Sequence, residues 1–203
     1  MTLINCVSVL AAKEILHTVI ISVCAQKHFK MERIKMSITV ADTYYLKALD
    51  LYPYELETVI EALNYAIGYD NDHAGANCLL GKLNMYQLGK YKEAEVNFEK
   101  ALAGDINYTE TYYCYADLLI KTGEYGKAKN LIRYAYKIKG INISRLKHSE
   151  GLIAEIKGDL LKAKKYMKFA YESSYNKSER EFLKEELDRV NSKLKTLNKS
   201  STK

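Results

Sequence analysis

Apolar residues fall at every third or fourth position over long stretches of this chain, the spacing that lines up one face of an α-helix. Leu56, Val59, Leu63, Ala66 and Ile67 mark one such face. The spacing predicts helices over Asp42–Tyr52 and Leu56–Tyr69, and a helix pair within each of 74–105, 109–140 and 144–173. A last helix follows over 178–197, where Leu183, Leu187, Val190, Leu194 and Leu197 form a heptad seam.

The middle pairs are copies of one another. Gly89, Ala94 and Ala101 are followed 34 residues later by Gly123, Ala128 and Ala135, and 35 residues beyond those by Gly158, Ala163 and Ala170. Tyr91, Phe98 and Leu102 recur in the same register as Tyr125, Ile132 and Tyr136, then as Leu160, Met167 and Tyr171. A fixed period of this length marks stacked supersecondary units, none of which buries its apolar face alone. Gly123 suits the left-handed end of a first helix. Ala116 and Ala128 are small enough to let the two helices of their pair approach closely.

This pattern resembles the tetratricopeptide repeat. Tyr112, Tyr115, Ala116, Leu119, Gly123, Tyr125, Ala128, Ile132 and Ala135 occupy the places where that family holds its packing residues, and Gly151, Ala154, Gly158, Ala163, Met167 and Ala170 repeat the set. The resemblance implies an all-α fold, a tetratricopeptide-like right-handed α-solenoid of antiparallel helix pairs with a C-terminal capping helix. Its repeats would fill 36–175, as a degenerate first copy at 40–73 followed by 74–108, 109–143 and 144–175. The match departs from the family in three ways. One extra residue lies between Gly81 and Gly89, Pro53 closes the first helix in place of a glycine, and the family's proline after the second helix is replaced by Ile106 and Ile141.

The ends follow a different logic. Ser178 and Glu181 have the spacing of a capping box, so 176–197 is expected to be a helix covering the apolar edge of the fourth repeat, with dimerisation through its seam as the alternative. Asn198–Lys203 is a polar tail. Met1–Lys35 shows no repeat marks and stands as an N-terminal extension, or as text upstream of a start at Met36. Its apolar run from Ile15, broken by His17 and Thr18, is too short to span a membrane, and Ile21–Cys24 fits a lipoprotein box poorly because Val23 is large. A cytoplasmic location without membrane contact is therefore expected, with export or anchoring through this segment as the alternative.

Composition adds little chemistry. The chain has 203 residues, 18 tyrosines, one proline and no tryptophan. Cys6, Cys24, Cys78 and Cys114 are too scattered for a disulfide framework or a zinc site. Asp70-Asn71-Asp72-His73 lacks the later ligands of a calcium loop and reads as an inter-repeat turn. The triplets at Asn107, Asn142 and Asn176 match the glycosylation signature, but helix capping by Thr109, Ser144 and Ser178 accounts for them. No cofactor, metal or catalytic constellation is expected.

Charge changes the picture more. The net charge of +6 hides an acidic half, Ser37–Glu110, with 5 Lys+Arg against 12 Asp+Glu, and a basic stretch, Lys121–Ala170, with 13 against 4. Lys127, Lys129, Arg133, Lys137 and Lys139 share one second helix, and Lys162, Lys164, Lys165 and Lys168 the next. Solvated outer faces, binding of nucleic acid or another anionic surface, and association of acidic with basic halves into a homo-oligomer all remain open.

The family resemblance implies a non-catalytic scaffold that holds a peptide or helix of a partner protein in a concave groove. Carried over by position, that groove would be lined by Tyr44, Cys78, Lys82, Tyr113, Asp117, Arg145, His148, Leu152 and Glu155. Tyr113 and His148, equivalent in adjacent repeats, stand first among them.

Overall fold

The computed structural model describes residues 38–200. There the chain is a succession of helices: α1 (Val40–Leu51), α2 (Leu56–Tyr69), α3 (Ala74–Tyr86), α4 (Tyr91–Gly104), α5 (Thr109–Lys121), α6 (Tyr125–Ala135), α7 (Ile143–Ile156), α8 (Leu160–Ser173) and α9 (Lys177–Ser200). α1 packs on α2, α3 on α4, α5 on α6 and α7 on α8, and each hairpin leans on the next. The first helices α3, α5 and α7 also touch in sequence, so they form one continuous wall. The architecture is an all-α repeat solenoid. The expectations for Met1–Lys35, including Cys6, Cys24 and a start at Met36, lie outside the described residues.

The repeated small residues explain the hairpins. A Cβ on Gly81 would sit 2.7 Å from the Phe98 ring, and one on Gly151 would sit 2.9 Å from the Met167 side chain. Ala116 and Ile132, at the equivalent positions of the third hairpin, are both buried in one core. At Gly81 and Gly151 the first helix thus offers no side chain where the second helix offers a large, fully buried apolar group. Ala94, Ala128 and Ala163, with Ala101, Ala135 and Ala170, are all fully buried.

The turns within the hairpins are also copies. Gly89, Gly123 and Gly158 have φ of 65°, 83° and 81°, in the left-handed region that glycine enters without strain. Glu124 N donates to Leu119 O and Asp159 N to Ala154 O, five residues back, whereas Lys90 N reaches six residues back to Asn84 O. The extra residue of the second repeat is therefore absorbed in its turn. α3 and α5 keep one register, and Gly81 takes the place of Ala116.

Between hairpins, Asp70 and Asp105 each fold a turn by accepting a backbone N–H two residues on, from Asp72 at 3.1 Å and from Asn107 at 2.8 Å. His73 caps α3 by accepting from Ala76 N, and its Nε2 lies 3.1 Å from Asp42 on α1. The expected hydroxyl caps are corrected. Asn142 caps α7, Asn176 Oδ1 accepts from Glu179 N at the start of α9, and Tyr108 precedes α5 with no side-chain cap. An asparagine two residues upstream reaches the free N–H groups first. Ser144 is thereby turned inward, where it donates to Ala170 O at 2.8 Å.

α9 spends its apolar seam on the fourth hairpin. Leu183 and Val190 are buried, and Leu187 and Leu194 pack against the cluster that Val190 forms with Ala154, Ala163 and Met167. The helix passes Leu197 and ends at Ser200, later than its apolar spacing indicates.

Two glycines test how closely these pieces approach. A Cβ on Gly104 would fall 1.8 Å from the backbone oxygen of Asp72, which cannot rotate away, whereas Gly68 in α2 has nothing within 4 Å. Gly104→Ala is expected to lower the unfolding free energy by about 1–3 kcal/mol. Gly68→Ala should raise it by about 0.5–1 kcal/mol. Urea denaturation of the two variants checks both signs.

Candidate partner-binding groove

The wall of α3, α5 and α7 presents equivalent positions in rows. Cys78, Tyr113 and His148 each stand three residues before the small crossing residue of their helix, and Lys82, Asp117 and Leu152 stand one residue after it. Gly75, Glu110 and Arg145 make a third row one turn earlier. Shared register places these side chains on the same side of the wall.

Glu110 is the hub of the middle section. Its carboxylate accepts from Arg145 Nη1 at 2.6 Å and Nη2 at 3.4 Å, and Lys82 Nζ lies 3.6 Å away. One carboxylate thus ties three successive first helices. The Arg145 guanidinium also stacks over the Tyr113 ring, 3.9 Å from its centre, and the Tyr113 hydroxyl accepts from Asn142 N. Burial raises the Glu110 carboxyl, but the hydrogen bonds and charge of Arg145, with Lys82, more than offset it and hold the group below its ordinary value.

Cys78 and Cys114 are buried free thiols. The Cys114 thiol is pushed up by its hydrogen bond with Cys78 and by burial, and its Sγ lies 3.6 Å from Glu110 Oε1. Neither is presented as a nucleophile. Burial raises the Asp117 carboxyl, against the opposing effects of His148, Arg145 and a hydrogen bond from the Tyr86 hydroxyl at 3.3 Å.

The C-terminal section is already occupied. Glu186 of α9 lies 3.2 Å from His148 Nε2, and Phe182 meets the His148 ring edge-on at 5.3 Å. Glu155 accepts from Arg189 and from Lys193, the latter at 2.8 Å, while Arg189 also donates to Glu186. Leu152 packs against the same cluster, which includes Val190 of α9, as Leu187 and Leu194 do.

The residues named from sequence therefore divide three ways. Cys78, Lys82, Tyr113, Asp117 and Arg145 gather around Glu110; His148, Leu152 and Glu155 lie under α9; Tyr44 stacks on Tyr65 and Tyr69 of its own hairpin, at 5.1 and 5.8 Å. Tyr45 stands in the first repeat where Tyr44 was expected, because buried Ala48 is the crossing residue there and Tyr45 precedes it by three. Its hydroxyl is 3.0 Å from that of Tyr108, and its ring packs against Gly75 of α3. Glu110 was missed as well. Its signal was present in the row it shares with Arg145, but a charge one turn from the helix start also reads as a solvated first-turn acid.

A tetratricopeptide-repeat family model matches residues 85–134, which run from the end of α3 to the last turn of α6. Over that span the chain carries the tetratricopeptide-repeat pattern. Two solved structures share the fold. PilF of Pseudomonas aeruginosa superposes with a TM-score of 0.66 at 20% identity, over 77% of this chain and 70% of that one. PilW, described as a widely conserved type IV pilus biogenesis factor, superposes with a TM-score of 0.59 at 15% identity, over 97% and 94%. No curated protein matches the sequence. Among the described residues of the repeats and the helix that follows, no helix is long and apolar enough to cross a membrane. No group of three His, Cys, Asp or Glu among them is placed to hold a metal.

The Glu110 hub makes a pH-dependent prediction. A carboxyl held below its ordinary value of about 4.3 stabilises the fold above that pH and loses its contribution as pH falls through the folded value. Glu110→Gln should therefore unfold at lower urea than the parent at pH 7. The gap should narrow progressively below about pH 4; a gap that stays constant with pH rules the hub out as its source.

Proposed function

We propose that this chain is a non-catalytic protein-interaction module that takes a helical segment of a partner protein against the wall of α3, α5 and α7. One observation carries the reading: α9 already lies on that wall at its C-terminal section, held by an apolar stripe and by charge pairs with His148 and Glu155. An amphipathic helix is thus a chemically suitable occupant of the neighbouring section, where Lys82, Asp117 and Arg145 supply charges in the same rows, whereas Tyr113, first among the expected contacts, is buried beneath Arg145. Lys82 keeps 27% of its side chain exposed and Tyr86 keeps 49%, so both are within a partner's reach. A reducing, cytoplasmic setting is part of the proposal, supported by the two buried free thiols.

The test uses the full chain as bait in lysate of the source cells, beside Lys82→Glu/Tyr86→Ala and an outer-face control, Lys164→Glu/Lys168→Glu. A partner retained by the parent and by the control, and reduced at least about tenfold on the groove variant, is the expected result; tenfold corresponds to about 1.4 kcal/mol, within reach of two contact residues. Equal capture by all three baits overturns the proposal. Circular dichroism confirms that each variant is folded.

A further inference from the structure

α6, α7 and α8 line an open cleft of about 760 Å³ that involves none of the groove residues. That volume lies in the range of sites for compact ligands. Four cations line it: Lys129 and Arg133 of α6, Lys157 at the end of α7 and Lys162 in the first turn of α8. Among the described residues, no carboxylate comes within ion-pair distance of any of the four. Arg133 donates to the Asn130 side chain, and Lys157 lies 5.7 Å from the centre of the Tyr125 ring.

Two carboxylates also reach the cleft, and both are engaged. Glu150 accepts from Lys147 Nζ at 2.7 Å and from the Tyr136 hydroxyl at 2.8 Å. Asp159 caps α8 by accepting from Lys162 N at 3.1 Å. Lys147 is itself enclosed by the rings of Tyr136, Tyr166 and Phe169, at 4.9, 5.0 and 5.8 Å, so its charge stays with Glu150 at the cleft wall. The net result is a concave site with surplus positive charge from three helices and hydrogen-bond donors on several sides.

Like charges gathered around one concavity repel one another, and a bound anion relieves that repulsion. A single carboxylate satisfies one or two of the four cations. A phosphate offers several acceptor oxygens and a charge near −2, and arginine grips it in a bidentate fork while lysine acts as a point charge. The concave shape disfavours a flat membrane surface, and its limited volume disfavours an extended strand.

We propose that this cleft binds a compact, soluble anion carrying several phosphate groups. The probe is sodium tripolyphosphate, titrated calorimetrically into the full chain at fixed ionic strength. Saturable binding near one equivalent is expected. Lys129→Glu/Lys162→Glu should weaken it at least tenfold, while Lys164→Glu/Lys165→Glu, the same charge change on neighbouring positions outside the lining, should change it less than twofold. An absence of saturable binding, or equal weakening in both double variants, overturns the site. Two further arms separate sources of the same chemistry: vesicles containing a phosphoinositide bisphosphate, and a single-stranded oligonucleotide of matched phosphate number. A preference of more than tenfold for either over tripolyphosphate overturns the assignment to a compact soluble anion. Circular dichroism on both double variants, whose substituted lysines are all exposed, verifies the fold.

Discussion

The hairpins of this chain share a buried position at which the first helix carries glycine or alanine and the second a large apolar side chain, and in two of them the approach is close enough to exclude any side chain on the first helix. Gly81 under Phe98 and Gly151 under Met167 leave no room for even a methyl group without displacement. Ala116 and Ile132 hold the equivalent positions of the third hairpin and are both buried in one core. Because the crossings share one position in the repeat, they set the same helix spacing each time, and the first helices line up as a wall. The rows of Cys78, Tyr113 and His148, and of Lys82, Asp117 and Leu152, follow from that alignment.

Charge then links what apolar packing has aligned. The acidic and basic halves meet at Glu110, which takes cations from the helix before it and the helix after it. The contact is only partly exposed, so solvent screens it less than an ordinary surface pair, and burial costs are met by two hydrogen bonds from one guanidinium. At the C-terminal end the same device recurs with the final helix as donor, through Arg189 and Lys193 to Glu155. α9 therefore covers an apolar edge and satisfies a nearly buried carboxylate, two tasks that an exposed solenoid end would leave undone. The two faces of α7 divide the labour further: one side carries His148, Leu152 and Glu155 toward α9, while the other contributes Glu150, Ile153 and Lys157 to the cationic cleft.

The repeat architecture was legible in the sequence because its determinants are local and periodic. A glycine that must adopt positive φ and an alanine that must sit under a large side chain leave the same mark every 34 or 35 residues, whatever surrounds them. The site was only partly legible, because what a wall residue does depends on its neighbours in the adjacent repeats. Glu110 reads as an ordinary first-turn acid until α3 and α7 bring Lys82 and Arg145 to it. Tyr45 was displaced by Tyr44 because the first repeat lacks its glycine, and only the burial of Ala48 shows which residue is at the crossing. The heptad of α9 revealed which face is apolar but not what that face would cover, so the placing of His148, Leu152 and Glu155 beneath it belongs to the tertiary fold. Sequence alone determined the unit and its period, since these rest on backbone conformation and side-chain volume within a single hairpin. Tertiary structure decided which charges pair, which part of the wall stays open and where unpaired cations converge, because those depend on distances between residues that stacking alone brings together.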